Sequence, residues 1–211
     1  MHQNELIISN VGNTNLTRNQ LQVWIAQNLL TDQPIYNLPV ALTIFGKIEP
    51  CLFQQAFRTL VNSSDALRTV FDEIRGVPAR RVIPQFTKDL RYLDLSDASD
   101  PHAVAKKWMQ ERCVLPFDLK SPLFDAALIK LSADEFVWYL NIHHLISDAW
   151  SVQLIYQWLS RLYELAVGRD LPYEIRLNSF QDYAASEREE KNSARHRKAE
   201  AYWKEKLSVD L

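Results

Sequence analysis

Glycine and cysteine are scarce in this chain of 211 residues, and each shortage excludes particular kinds of site. With only four glycines, the chain can form neither a phosphate-binding P-loop nor a glycine-rich dinucleotide loop. Its two cysteines, Cys51 and Cys113, do not have the spacing of metal ligands. So few cysteines fit a reduced cytosolic compartment better than a disulfide-stapled secreted domain, and we therefore expect a cytoplasmic protein.

Long apolar runs and excess positive charge are also absent. No uninterrupted apolar stretch approaches the ~20 residues that a membrane-spanning helix needs, and the amino terminus lacks the pattern of a signal peptide, so no membrane association is expected. The formal net charge of -2 argues against nucleic acid as the main partner, because nucleic-acid binding favours a basic surface. The remaining composition, 47% hydrophobic and 24% charged, is ordinary for a soluble globular protein.

Strand and helix patterns intermix along the chain, which predicts the α/β or α+β class with a mixed β-sheet flanked by helices. The predicted elements are a helix capped by Thr17 and running to about Leu30, a strand over 40–48, a helix from Pro50, a hairpin turning at Arg75-Gly76, a helix from Pro101 to Cys113, strands over 123–131 and 136–143, a helix ending at Gly168, a crossover over 169–177, and a helical region from Ser179 to Leu207. The tryptophans expected in the core are Trp24, Trp108, Trp138, Trp158 and Trp203.

The residues best suited to chemistry lie between the strand over 136–143 and the helix that follows it. This turn carries His143, His144 and Asp148. A histidine with a pKa near its ordinary ~6.5 can accept or relay a proton at cellular pH. Because successive side chains of a strand point to opposite faces, the two histidines cannot both face one cleft.

Two other kinds of site are disfavoured at this turn. A metal site is not expected, because strand alternation separates the histidines and no third imidazole is obvious among His2, His102 and His196, for which no partners are evident. A serine hydrolase is not expected either. Ser147 and Ser151 lack the Gly-x-Ser-x-Gly context that exposes a nucleophilic serine.

The pattern His-His-x-x-x-Asp-x-Trp-Ser at 143–151 closely resembles the core motif of condensation domains of nonribosomal peptide synthetases, in the chloramphenicol acetyltransferase-like superfamily. Further segments match the family in the right order, namely 16–20 with Trp24, 36–39, 64–71, 180–184 and 202–207. The resemblance implies a two-lobed fold. It implies that residues 1–170 form the amino-terminal lobe, and that 171–211 form the crossover and first helices of a carboxy-terminal lobe whose remainder is absent.

The family's reaction implies partners and residue roles. An intact domain would join an upstream acyl or peptidyl thioester to the amine of a downstream aminoacyl thioester, both carried on phosphopantetheine arms of carrier proteins, with no cofactor bound by the chain itself. His144 would act as general base, or would orient the amine and stabilise the tetrahedral intermediate. His143 would turn inward, and Asp148 would pair with Arg68 as structural support of the motif. A half-domain alone is expected to be inactive.

One departure from the family pattern and two rival functions stay open. Ala149 stands where the family usually has glycine, which affects the approach of a thioester arm if the turn is tight. The histidine pair argues against cyclising relatives, which carry aspartates there, and 149–151 fits condensing members better than epimerising ones. The rivals are a free-standing acyltransferase that uses His144 and Asp148 on an alcohol or amine acceptor, and a non-catalytic lobe that binds a carrier protein.

Overall fold

The computed structural model describes residues 14–31, 33–170, 177–190 and 193–208. Its elements, in chain order, are α1 (Arg18–Leu29), β1 (Asn37–Phe45), α2 (Pro50–Ser63), β2 (Thr69–Ile74), β3 (Val77–Val82), β4 (Arg91–Asp94), α3 (Pro101–Cys113), β5 (Phe124–Lys130), β6 (Glu135–His143), α4 (Ala149–Ala166), α5 (Phe180–Glu190) and α6 (Ala194–Leu207). The predicted crossover over 169–177 lies mostly outside the described residues.

A four-stranded sheet with the order β1-β6-β5-β4 forms the centre of the fold. Strand β6 is antiparallel to both of its neighbours, whereas β4 runs parallel to β5. The predicted mixed sheet flanked by helices is thereby confirmed. Strands β2 and β3 form a separate hairpin, in which Arg75 and Gly76 both have positive φ angles of 54° and 79°. Two positive φ angles are what a type I′ turn requires, so the predicted hairpin is also confirmed.

The side chains of the central strands alternate between the two faces of the sheet. Both faces are apolar, and helices cover each of them. On one face, Trp138 of β6 packs edge-on against Phe53 of α2 and Tyr156 of α4, with ring centroids 6.1 and 4.6 Å apart. On the other face, Tyr139 packs edge-on against Trp108 of α3 at 5.4 Å. Strand β6 is thus enclosed on both sides, and the histidine motif at its carboxyl end is attached to a rigid element.

Local signals placed most helix ends correctly. Thr17 and Gln20 form the capping box of α1, and Pro50 lies in the first turn of α2. Gly168 ends α4 with a φ of 82°, as a left-handed cap requires. Two predictions were wrong in part. The strand predicted over 40–48 begins at Asn37 and ends at Phe45, and Trp203 is not in the core, because α6 buries none of its residues and this ring is 60% exposed.

Candidate active site

The histidine motif forms a hydrogen-bonded turn between β6 and α4. His143 is the last residue of β6 and is 1% exposed, whereas His144 is exposed to solvent. The carbonyl of His143 accepts hydrogen bonds from the Ile146 amide and the Ser147 hydroxyl, both at 3.1 Å. The amide of His144 donates to the Tyr36 carbonyl at 2.9 Å. The expectation that the two histidines face opposite ways is therefore confirmed.

The hydrogen bonds of His143 determine which of its ring nitrogens carries the proton. The amide of Leu145 lies 3.1 Å from Nδ1 and can only donate, so Nδ1 must be unprotonated. The proton is then on Nε2, which faces the Gln27 Oε1 at 3.3 Å. Burial, with a smaller contribution from the neighbouring charge of His144, lowers the pKa of His143 to about 4. His143 is therefore neutral at cellular pH and acts as a structural hydrogen-bonding group.

His144 has the opposite arrangement of protons. Its Nδ1 lies 2.6 Å from the carbonyl oxygen of Ser147, which can only accept, so Nδ1 carries the proton and donates. Neutral His144 therefore presents an unprotonated Nε2, which can accept a hydrogen bond or a proton from a substrate. This backbone contact also fixes the orientation of the ring.

Asp148 is not paired with Arg68, which corrects the role expected from the family resemblance. Its carboxylate accepts from the amide and the hydroxyl of Ser151, both at 2.7 Å, and so caps the amino terminus of α4. These hydrogen bonds lower the pKa of Asp148, which keeps it ionised. Arg68 instead donates from Nη1 to the carbonyls of Ile83 and Pro84, at 2.8 and 2.9 Å. Asp148 is held at the start of α4 and Arg68 by the segment that follows β3, and no ion pair joins the two among the described residues.

An open cleft of about 400 Å³ lies beside the motif. Its walls come from the start of α1, the motif turn and the start of α5, and they are formed by Thr17, Asn19, Gln20, Gln22, Val23, Ala66, His144, Leu145, Ile146, Ser147, Asp148, Ser151, Phe180 and Tyr183. A second, largely apolar cavity of about 450 Å³ adjoins it. The two cavities share Ala66, Ile146, Ser151, Phe180 and Tyr183. The space beside His144 therefore borders a largely apolar cavity.

The remaining histidines in the described residues have partners that the sequence did not indicate. His102 lies 3.4 Å from the Glu135 carboxylate, and His196 lies 3.2 Å from Arg18. Both contacts join segments that are remote in the chain, and neither lies in the cleft beside His144. Among the described residues, no group of three His, Cys, Asp or Glu side chains could hold a metal ion. No helix among these residues is long and apolar enough to span a bilayer.

Two glutamines of α1 contact the motif and were not predicted as site residues. Gln27 faces the ring of His143, and the Nε2 of Gln20 donates to the Leu145 carbonyl at 3.1 Å. The sequence contained a partial signal for Gln20, because Thr17-x-x-Gln20 is a capping-box pattern. It contained none for Gln27, whose partner is 116 residues away.

The chain is similar to known proteins over most of its length. The model of the family described as condensation domain matches residues 11–211. The chain is 32% identical over 189 residues to cyclosporin synthetase of Tolypocladium inflatum, covering 89% of this chain and 1% of that protein. It is 32% identical over 197 residues to malpibaldin synthetase of Mortierella alpina, covering 92% of this chain and 4% of that protein.

Solved structures give the same assignment. The starter condensation domain of rhizomide synthetase has a TM-score of 0.85 at 31% identity, covering 93% of this chain and 48% of that chain. The first condensation domain of the CDA synthetase has a TM-score of 0.77 at 29% identity, covering 92% and 50%. This chain thus spans about half the length of the solved condensation-domain chains that it matches. Together, the family match over residues 11–211, the structural likeness and the histidine motif show that the chain belongs to the condensation-domain family of nonribosomal peptide synthetases.

Proposed function

We propose that this chain is the amino-terminal lobe of a peptide-bond-forming condensation domain and that His144 is its catalytic residue. Condensation domains of nonribosomal peptide synthetases catalyse acyl transfer with carrier-protein-bound substrates. In this proposal, residues 1–170 form the lobe and 171–211 lead into a second lobe. The observation that carries it is the 2.6 Å contact of the His144 Nδ1 with the Ser147 carbonyl, because it leaves Nε2 as the acceptor nitrogen of a ring that borders the cleft.

The proposed reaction joins an acyl or peptidyl thioester to the amine of an aminoacyl thioester. The amine nitrogen attacks the thioester carbonyl, the C–N bond forms, and the tetrahedral intermediate collapses with loss of the donor thiol. The nitrogen must lose a proton during these steps. The Nε2 of His144 accepts the N–H hydrogen bond of the amine, and it either takes that proton or holds the amine in line for attack. Phosphopantetheine arms of carrier proteins bring both substrates to the cleft.

The other motif residues have supporting roles in this proposal. Neutral His143 holds the turn from inside, and ionised Asp148 caps α4. Arg68 supports the neighbouring loop through the Ile83 and Pro84 carbonyls. None of these three groups is proposed to exchange a proton with substrate. A relative of known structure supports the substrate class: a double variant of the rhizomide synthetase starter condensation domain, solved in complex with C8-CoA and Leu-SNAC, has a TM-score of 0.85.

The test is a condensation assay with loaded donor and acceptor carrier proteins, using this chain together with a separately produced second lobe. His144→Ala should lower kcat by about 10²- to 10⁴-fold, the usual contribution of a positioned acid–base group. The matched control is His102→Ala, which removes an exposed imidazole outside the cleft and should leave kcat unchanged. If both variants retain the unmodified rate, His144 is not the catalytic residue. A pH profile of kcat that loses its acidic limb in His144→Gln would identify a proton acceptor rather than a positioning group.

A further inference from the structure

Helix α1 holds the motif turn with two glutamines on one of its faces. Gln20 and Gln27 are seven residues apart, which is close to two helical turns, so their side chains lie on the same side of α1. Both are buried, with exposures of 5% and 7%. One contacts the backbone of the motif and the other contacts a ring of the motif. A buried amide is costly unless its groups are hydrogen-bonded, so the contacts made by these amides are informative.

The orientation of the Gln27 amide follows from its surroundings. Its Nε2 lies 3.0 and 3.3 Å from the carbonyl oxygens of Leu30 and Gln33, which can only accept. The nitrogen must therefore face these carbonyls, and the oxygen must face the ring of His143. An amide oxygen can only accept, so it favours the form of His143 that carries its proton on Nε2. That is the form in which Nδ1 is available to the Leu145 amide.

We propose that Gln27 is a positioning residue for the reaction, because it selects the protonation form of His143 and thereby holds the turn that carries His144. The chain of contacts runs from the Gln27 oxygen to His143 Nε2, and from His143 Nδ1 to the Leu145 amide, which directly follows His144. Gln20, on the same face of α1, donates to the Leu145 carbonyl. The proposal rests on the proposed function for its catalytic consequence, but its structural part can be tested without turnover.

Loss of the Gln27 oxygen has a specific consequence. Without an acceptor for Nε2–H, the proton of His143 can move to Nδ1, and the Leu145 amide then loses its buried acceptor. A buried amide without a partner is unfavourable, so the turn would rearrange to avoid it. His144 lies between His143 and Leu145 in the chain, and its ring is oriented by the Ser147 carbonyl of the same turn. The expected result is a change of protonation form at His143 together with loss of a fixed ring orientation at His144.

Nitrogen-15 NMR of the histidine rings in the full chain at neutral pH is the decisive experiment, with the His143 signals assigned by their loss in His143→Asn. The unmodified chain should show a protonated Nε2 and an unprotonated Nδ1 for His143. Gln27→Met keeps a side chain of similar size without the amide oxygen. It should shift the signals of both His143 ring nitrogens toward the average of the Nε2–H and Nδ1–H forms. Gln55→Met, at an exposed position of α2 outside both cavities, is the matched control and should retain the original form.

These spectra distinguish a positioning role of Gln27 from a role in packing alone. A packing role would leave the His143 signals unchanged in Gln27→Met, and that result would overturn the proposal. If Gln27→Met does not fold, the unmodified chain decides, since a His143 that carries its proton on Nδ1 in that chain also overturns the proposal. In the condensation assay with a second lobe, Gln27→Met should lower kcat by roughly 10- to 100-fold with KM unchanged. A normal kcat of Gln27→Met alongside changed spectra would contradict the catalytic part of the proposal. Absence of turnover by the unmodified chain with the second lobe would count against the proposed function, but not against the role of Gln27 in the turn.

Discussion

Burial of neutral His143 should make the stability of the chain depend on pH in a way that one substitution removes. An unfolded histidine has a pKa near ~6.5, and burial lowers the pKa of folded His143 to about 4. Below pH ~6.5 the unfolded chain therefore takes up a proton that the folded chain does not bind until near pH 4. Protonation therefore favours the unfolded state over this interval. The contribution of neutral His143 to the free energy of unfolding is fully present above pH ~6.5 and is lost as the pH falls toward 4.

The size of this effect follows from the difference between the two pKa values. The full difference of about 2.5 units corresponds to about 3.4 kcal/mol at 1.36 kcal/mol per unit. By pH 5 the unfolded form is almost entirely protonated and the folded form almost entirely neutral, so about 2 kcal/mol should already be lost. Carboxylates with lowered pKa values, such as Asp65 and Asp148, also lose stabilisation as the pH falls. A comparison of two variants at each pH cancels their contribution.

The assay is urea unfolding at pH 7, 6 and 5 for the unmodified chain and for His143→Asn, whose side chain does not titrate. His143→Asn is expected to be less stable at pH 7, but its loss between pH 7 and 5 should be about 2 kcal/mol smaller than that of the unmodified chain. His102→Asn, which replaces a side chain that is 66% exposed, should follow the unmodified chain. If all three proteins lose stability in parallel, to within about 0.5 kcal/mol, His143 is not held neutral by burial and the description of the turn is wrong.

Four other single substitutions and one double variant test the supports of the motif, the exposure of His144 and the end of α4. Arg68→Ala should lower the free energy of unfolding in urea by about 2 kcal/mol and Asp148→Ala by about 1 kcal/mol. Because the two side chains hold different loops, the losses should add in the double variant to within about 0.5 kcal/mol. A coupling energy of about 3 kcal/mol would instead indicate the ion pair expected from the family. His144→Ala should change the free energy of unfolding by less than about 1 kcal/mol, since the side chain is exposed; a loss larger than that of Arg68→Ala would place His144 in the core. Gly168→Ala should cost about 1 kcal/mol because of the φ of 82°, and an unchanged melting temperature would show that α4 does not end in a left-handed cap.

Local patterns predicted most of the fold because they depend on neighbours in the chain. Strand alternation placed His143 inside and His144 outside, and the Arg75-Gly76 turn, Pro50 and Gly168 marked the ends of elements. Strand β4 was missed because it has only four residues. Apolar spacing put Trp203 in the core, but spacing alone does not show whether a helix has a partner to pack against.

The site was less predictable because its contacts join remote segments. The family resemblance suggested the proposed reaction and singled out the histidines, yet the partners of Arg68 and Asp148 differ from those it implied. Both side chains bind partners that lie within about 16 residues of them in the chain. Backbone carbonyls satisfy Arg68, and the amino-terminal end of a helix satisfies Asp148, in place of a distant ion pair. The Gln27 contact lies 116 residues from His143, and only the arrangement of α1 against β6 brings the two together.

The central claim is that His144 carries out condensation in a cleft that is completed by a second lobe. Holding amine and thioester in attack geometry contributes as much as ~7–11 kcal/mol, and a single wall of a channel does not supply it. The direct measurement is peptide formation from loaded carrier proteins by this chain alone, by the chain with a separately produced second lobe, and by that mixture with His144→Ala. Product is expected only from the mixture of the unmodified chain and the second lobe. Peptide formation by the chain alone at a rate comparable to that of a full-length domain, or an unchanged rate in the His144→Ala mixture, would contradict it and would favour a self-sufficient acyltransferase.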